Sequence, residues 1–299
     1  MVTSTSPNNL PSPWHAGEVE LQRSVGSYEK MAVVGPKVIR PYMPDQHRRF
    51  FEELPFIVLG SLDHSDRPWA TLRAGEPGFV HSPDDTHLRI AAGGDEHDPA
   101  AFEVGASVGM LGIQPHTRRR NRANGVVQPS DTGGLHVHVT QSFGNCPRFI
   151  TRREAVFKPL VDRAPAAEHL EQLDTDARTM IERADTFFVA SYVRHEDDST
   201  DVDVSHRGGP AGFVRIDERG ALVVPDYAGN NFFNTLGNFV RHPVAGLLFV
   251  DFENGDMLQM TGRVTLRLAE TSDDAQRHWS VTPDALVRRR GAVPLRWRT

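Results

Sequence analysis

Between Pro225 and Asn238 the chain reads PDYAGNNFFNTLGN, and the residue types in it could hold an anion. Asp226 and Tyr227 come first, Asn230 and Asn231 open a stretch with helical spacing, and Asn234, Thr235 and Asn238 continue it. A helix start leaves N–H groups without intrahelical partners and carries the positive end of the dipole, so amides and a hydroxyl grouped there suit a phosphate. A second stretch, DVDVSHRGG, puts Ser205, His206 and Arg207 on a strand. A hydroxyl and a permanent cation would add charge-assisted hydrogen bonds to the same ligand. These residues predict a site for a phosphorylated molecule with a ring system. Simple capping and a solvated helix face account for the same asparagines without a ligand. His206 is the candidate general acid, because an ordinary imidazole titrates near neutrality.

Other chemistry-bearing residues carry less. The tract HTRRRNRANG holds Arg118, Arg119, Arg120 and Arg122, and reads either as a solvated hairpin tip or as cations that one part of the chain lends to a phosphate pocket in another. One tract without interleaved aromatics does not make a nucleic-acid surface. His136 and His138 share one strand face but have no third ligand nearby in sequence, so no metal is expected. Cys146, in GNCP, reads as packed rather than reactive. There is no G-x-G-x-x-G, no Walker lysine, no nucleophile elbow and no paired-carboxylate pattern.

The elements that must position these residues are written twice. Arg73 and Arg207 each open R-x-G-x-x-G-F-V, an offset of 207 − 73 = 134. FIVLGS at 56–61 matches TFFVAS at 186–191, and RANGVV at 122–127 matches QMTGRV at 259–264. With HLRIAAG at 87–93 falling on ALVVPDY at 221–227, four blocks in one order, with small drifts in offset, indicate a tandem duplication. The glycines of the phrase fit either a turn between strands or a place where a ligand approaches backbone. Each unit opens on a short helix, from Pro44 with Asp45 as N-cap and from Asp174, and continues in strands ended by Gly, Pro or Asp. The second unit adds a helix from Asn230 that Pro243 stops, and closes on two strands joined at Asn254-Gly255. The first unit reads GDEHDPAAFEVG where that helix would be, and Asp95, Glu96 and Asp98 there would repel a phosphate. Short strands with a few helices predict a small β-barrel per unit. The boundaries are an N-terminal extension at 1–45, a first repeat at 46–150, a linker at 151–173, a second repeat at 174–275 and a tail at 276–299.

With 299 residues, 38% hydrophobic and 24% charged, the chain can bury a sizeable core. A formal charge of −6 offers no general attraction to nucleic acid or acidic membranes, so an anion site has to be local. A lone cysteine, no signal-like start and no apolar run of membrane length predict a cytoplasmic protein.

Several long stretches now carry a resemblance: LPFIVLGSLDHSDRPWATLRAGEPGFV, GMLGIQPHTRRRNRANG, QSFGNCPRFI, DVSHRGGPAGFV, PDYAGNNFFNTLGNF and GLLFVDFENGDMLQMTGR. Over about residues 14–275 the chain resembles the pyridoxamine 5′-phosphate oxidase-related, FMN-binding split-barrel family in its fused two-repeat form. The resemblance implies a mainly β fold with some α, built as two tandem split barrels that form a pseudo-dimer within one chain, with flavin mononucleotide in the seam. FMN stands ahead of FAD or haem. By the same resemblance Ser205, His206, Arg207, Asn230, Asn231 and Asn234 border the cofactor, followed by Asp226, Tyr227, Thr235 and Asn238, with Arg118 and Arg120 as motif-matching positions. It implies a flavin-dependent oxidoreductase with a small-molecule substrate or a donor such as NAD(P)H; a non-catalytic flavin or haem carrier or sensor is the alternative, and pairing of two chains is a further expectation. The phosphate grip reads Asn-Asn rather than Arg/Lys, and the family's C-terminal Arg/His pair is not evident, so vitamin B6 oxidation is not implied.

Overall fold

The computed structural model describes residues 12–91, 97–130, 133–159, 167–268 and 277–298. Three helices lead: α1 (Ala16–Ser24), α2 (Tyr28–Val38) and α3 (Asp45–Glu52). The first sheet follows, with β1 (Phe56–Leu62), β2 (Pro68–Ala74), β3 (Val80–Asp84), β4 (His87–Ile90), β5 (Ser107–Gln114), β6 (Arg119–Gln128) and β7 (Leu135–Gly144). β8 (Glu154–Phe157), β9 (Glu168–Leu170) and α4 (Thr175–Arg183) lead into the second sheet. It holds β10 (Thr186–Arg194), β11 (Thr200–Gly208), β12 (Arg215–Ile216), β13 (Leu222–Asp226), α5 (Asn234–Arg241), β14 (Val244–Asp251), β15 (Asp256–Arg267) and β16 (Arg277–Arg289), and β17 (Leu295–Arg298) ends the chain.

The strand orders are β2-β1-β5-β6-β7-β4-β3 and β11-β10-β14-β15-β16-β13-β12, the same path taken twice, antiparallel throughout. The copying reaches single irregularities. A bulge at Asn124/Gly125 in β6 recurs at Thr261/Gly262 in β15, an offset of 262 − 125 = 137. The repeated phrase is a turn whose glycine lies against a phenylalanine: a Cβ on Gly75 would meet the Phe79 ring at 2.7 Å, and one on Gly209 would meet Phe213 at 2.7 Å. Gly78 and Gly212 hold positive φ values of 98° and 82°, which glycine adopts without strain. Phe79 and Phe213 enter the separate cores of their own repeats. The phrase is therefore the turn that joins the two end strands of each sheet path, and its paired glycines serve packing.

A third core belongs to both repeats, with Phe56, Val58, Leu72 and Leu111 from one and Phe188, Val204, Leu248 and Met257 from the other. The approach obeys an approximate two-fold. A Cβ on Gly109 would stand 2.7 Å from the Val202 carbonyl oxygen, and one on Gly246 would stand 2.4 Å from that of Pro68. The offsets agree, since 246 − 109 = 137 and 202 − 68 = 134. Each half offers the other the same patch, as two subunits of a symmetric dimer do.

Expectations for the tail, the linker and two helix starts need correction. Residues 276–299 are not a tail: β16 is a long strand between β15 and β13, and β17 pairs with β8 from the linker. The second unit thus closes on β16 rather than on the Asn254-Gly255 hairpin. The linker also contributes β9, which pairs with β16. Asp45 is the first helical residue of α3, with Pro44 as its cap. The late helix begins at Asn234, not Asn230, because Asn231 and Phe233 take left-handed φ values of 60° and 63°.

Backbone on the far side of the seam cannot yield to a new methyl group. Gly109→Ala and Gly246→Ala are expected to destabilise the chain by about 1–3 kcal/mol each. Gly26→Ala, where nothing lies within 4 Å, is expected to lose only the cost of a positive φ, about 1 kcal/mol. Urea unfolding midpoints of the three variants check this order.

Candidate functional site: an arginine-lined cleft on the seam

A cleft of about 950 Å³, including its open mouth, runs along the seam. The first repeat gives it Arg120 and Arg122 from β6 and the segment 145–149 beyond β7. The second gives Ser205, His206 and Arg207 from β11, Asp226 and Tyr227 from the end of β13, and the start of α5. Arg148 and Arg277 add two further cations, and Phe149 stacks on Tyr227 with ring centres 4.9 Å apart.

Behind the cleft wall lies a buried polar network that crosses the seam. Arg122 donates to Asp203 at 3.3 Å, to the Asn234 side-chain oxygen at 3.3 Å and to the Ser205 hydroxyl. Ser205 in turn shares a 2.7 Å hydrogen bond with Thr235. Asn124 donates to Asp203 at 2.8 Å and Asn238 does so at 3.2 Å. The N-terminal extension joins the network, since Asn234 donates to Glu18 at 2.6 Å and His15 meets Asn238 at 2.9 Å. This is possible because α1 lies directly on α5: a Cβ on Gly17 would be 2.2 Å from the Gly237 carbonyl oxygen.

Of the residues expected from the sequence, Ser205, His206, Arg207, Asp226, Tyr227, Asn230, Asn231, Asn234, Thr235 and Arg120 all line this one cleft. Two do not. Arg118 is exposed at the turn before β6, where its φ of 55° ends a 3-10 turn. Asn238 is fully buried one helical turn behind the cleft, bonded to Ser191, Asp203 and His15. Asn230 acts locally as a turn residue, accepting from the Phe232 N–H at 3.1 Å. Sequence reading missed Arg148, Phe149 and Arg277 as cleft residues, and Arg122 stood out only as part of its tract. Arg122 had a usable signal, since β6 alternates and its even positions Arg120 and Arg122 face the seam together. Arg277 lay in a segment read as a tail. Among the described residues no three His, Cys, Asp or Glu side chains converge as a metal site would need. Cys146 is half-buried and lines the cleft.

The electrostatics are cationic. Burial and the neighbouring Arg122 and Arg207 lower Arg120 to about 10, so it stays charged at neutral pH. Its guanidinium bonds only to His206, at 2.9 Å to Nδ1 and 3.4 Å to the carbonyl oxygen, and no carboxylate faces it among the described residues. The Nε groups of Arg120, Arg122 and Arg207 and the Asn145 side-chain nitrogen are buried without a hydrogen-bond partner. Arg207 reaches Asp226 at 3.1 Å, which Arg277 also contacts at 3.2 Å.

His206 does not titrate near neutrality. Burial, then Arg120, Arg207 and Arg153, hold it well below its ordinary value. An arginine can only donate, so His206 Nδ1 is the acceptor and Nε2 carries the proton, 3.4 Å from the Thr186 hydroxyl. It is a neutral imidazole that orients Arg120, not the acid that its ordinary pKa suggested.

The counterpart of this corner in the first repeat is arranged differently. At the same offsets Thr71, Arg73 and Gln259 stand for Ser205, Arg207 and Arg122. There Asp98, only 1% exposed, sits among them. Thr71 donates to its carboxylate at 2.5 Å, Arg73 at 2.7 Å, Gln259 at 3.1 Å and the Ala100 N–H at 3.1 Å, with Arg289 3.6 Å away. Asp95 and Glu96, the other acids expected to repel a phosphate, lie outside the described residues.

No protein-family model matches the chain, and no curated protein matches its sequence. Among solved structures the chain is similar to HupZ of Group A Streptococcus, with 11% identity over 39% of this chain and 99% of that one, at a TM-score of 0.30. It is similar to HutZ, the haem storage protein of Vibrio cholerae, with 9% identity over 40% and 95%, at 0.28. It is also similar to the motility inhibitor MotI of Bacillus subtilis, with 10% identity over 81% and 90%, at 0.22. Scores this low bring neither ligand nor activity from those proteins to this one. The β-barrel-with-helices architecture is read from the strand order of the chain itself.

Two outcomes follow from these charges. Arg73→Ala leaves the Asp98 carboxylate buried without its closest cation, so it is expected to cost about 3 kcal/mol of stability, with Arg289 limiting the loss, while the cleft keeps its affinity. Denaturant unfolding and a ligand titration on the same variant check the two halves. The second outcome concerns Glu18, which burial, then Asp203, push up to about 8. The folded chain then holds a proton that the unfolded chain releases near 4.5, so Glu18 contributes stability below that pH which is lost as pH rises through about 8. Between pH 6.5 and 8 the wild type should lose up to about 1.4 kcal/mol per pH unit more than Glu18→Gln does. Melting curves across that window decide it.

Proposed function

We propose that the cleft binds flavin mononucleotide and that the chain is a flavin-dependent oxidoreductase acting on a small molecule. The observation that carries the reading is the crowd of buried guanidiniums at one corner where, among the described residues, Arg120 meets no carboxylate and three Nε groups and an amide have no partners. Buried polar groups are otherwise hydrogen-bonded and buried charges paired, so this corner suits an anion carrying several oxygens. Tyr227 with Phe149 supplies aromatic surface for a ring.

Arg207, Arg122 and Arg120 would hold the phosphate, with the Ser205 hydroxyl and the Asn145 amide as neutral donors. Asn230, Asn231 and Tyr227 would border the rest of the molecule. A bound flavin supplies hydride and electron transfer, and the protein's share is position and charge. A cleft with five arginines and a neutral His206 favours the more negative redox state of whatever it holds. His206 moves no proton; it fixes Arg120 through Nδ1. Asp226 draws Arg207 and Arg277 to one side of the cleft mouth. Cys146 and Tyr227 are cleft residues of a type that could ligate a haem iron, whereas both His206 ring nitrogens are engaged.

The visible spectrum of the purified protein, titrated with FMN and then with NADPH, tests the reading. Flavin absorption that binds stoichiometrically and bleaches with the donor is expected. A Soret band without flavin would replace the reading by haem carriage, and binding without bleaching would reduce it to flavin carriage. Arg207→Ala is expected to weaken FMN by about 10- to 100-fold, the value of one charged hydrogen bond at 1.5–3 kcal/mol. An unchanged Kd would move the phosphate elsewhere.

A further inference from the structure

The first repeat, like the second, has a corner of donors on the seam, and there the chain supplies the anion. Four donors from both repeats converge on Asp98, the Thr71 hydroxyl, Arg73, Gln259 and the Ala100 N–H, and Arg289 adds a second cation 3.6 Å away. An ordinary structural ion pair needs one cation. This set surrounds the carboxylate on its available lone pairs and excludes water from it, which is how a bound anion is held. The residues are the positional equivalents of those that face the cleft. Thr71 corresponds to Ser205 and Arg73 to Arg207 at 134, and Gln259 corresponds to Arg122 at 137.

What differs is the segment that follows the fourth strand of each repeat. In the second repeat it forms α5 and brings no acid to the Ser205–Arg122 corner, which keeps orphaned Nε groups. In the first repeat it brings Asp98, and the Thr71 and Gln259 donors are used on it. We propose that the first repeat retains a second anion-binding site that is filled by the chain's own Asp98 carboxylate, and that removing this side chain uncovers a site for small carboxylates and inorganic phosphate. One chain then takes one ligand in the cleft, although its fold contains two equivalent corners. The inference concerns anions in general and does not require the cleft ligand to be a flavin.

Asp98→Ala removes the carboxylate and keeps the donors. Its melting temperature is expected to fall below that of the wild type and to rise again as formate is added, in proportion to the logarithm of concentration once the site is saturating. The wild type, whose corner is filled, should rise only by what the cleft contributes, clearly less than Asp98→Ala. Asp98→Ala/Arg73→Ala, which lacks the main cation, should show less than half of it. Isothermal titration of Asp98→Ala with inorganic phosphate should give one more binding event per chain than the wild type gives. A formate response that is absent from Asp98→Ala, or equal in all three proteins, overturns the proposal. If Asp98→Ala does not fold in plain buffer, refolding from urea with and without formate decides: recovery only with formate supports a vacated anion site, and failure in both overturns it. These readouts need no coenzyme, so a colourless protein that binds no FMN would sink the flavin reading and leave this one standing.

Discussion

A buried arginine joined across the seam organises this molecule. Arg122 leaves the sixth strand of the first repeat and bonds to Asp203, Ser205 and Asn234 of the second. Taking such a charge out of water costs several kcal/mol, and the cost is recovered only where geometry and further hydrogen bonds satisfy the group. That requirement reaches outward. Asp203 must be held by Asn124 and Asn238, Ser205 by Thr235, and Asn234 by Glu18 of the first helix. The N-terminal extension is therefore part of the site's wall. The close glycine contacts between α1 and α5, and between the two halves at Gly109 and Gly246, let these polar groups meet.

Duplication within one chain removes the constraint that a symmetric dimer imposes. In a dimer of identical subunits each substitution appears at both corners. Here Arg122 faces Gln259, Arg120 faces Met257 and His206 faces Leu72 across the pseudo-two-fold, so one corner became cationic while the other became neutral enough to be closed by a single carboxylate. The third core, made from both halves, keeps the relative placement fixed while the corners diverge. A rigid apolar seam and two unequal polar corners are separate results of one doubling.

The duplication was readable because glycine and phenylalanine spacings survive where packing forbids any other residue. Gly75 and Gly209 lie under their phenylalanines, and Gly125 and Gly262 each mark a bulge. The tract from Ser205 to Asn234 was readable for a different reason, since polar residues on a buried strand and before a helix stand out by type. Three things were hidden. The strand 277–289 follows a stretch outside the described residues, and its charged end reads as solvent-exposed until it is paired on both sides. The helix start slipped from Asn230 to Asn234 because left-handed Asn231 and Phe233 interrupt a spacing that is otherwise helical. The role of His206 depends on neighbours 86 residues away in the chain, and no local pattern encodes the proximity of Arg120.

His206 also shows how the cleft keeps its sign. Were it protonated, a fourth positive charge would stand beside Arg120, Arg207 and Arg153, the groups that already lower its proton affinity. As a neutral acceptor it instead relieves Arg120, whose guanidinium would otherwise bond, among the described residues, only to the His206 carbonyl 3.4 Å away. The same imidazole therefore permits a third arginine without a third acid. An acid in that place would have cancelled the charge that an anion needs, which is what Asp98 does at the opposite corner, where its carboxylate sits 2.7 Å from Arg73. An open site beside Arg120 and a closed one beside Arg73 thus stand on the same frame.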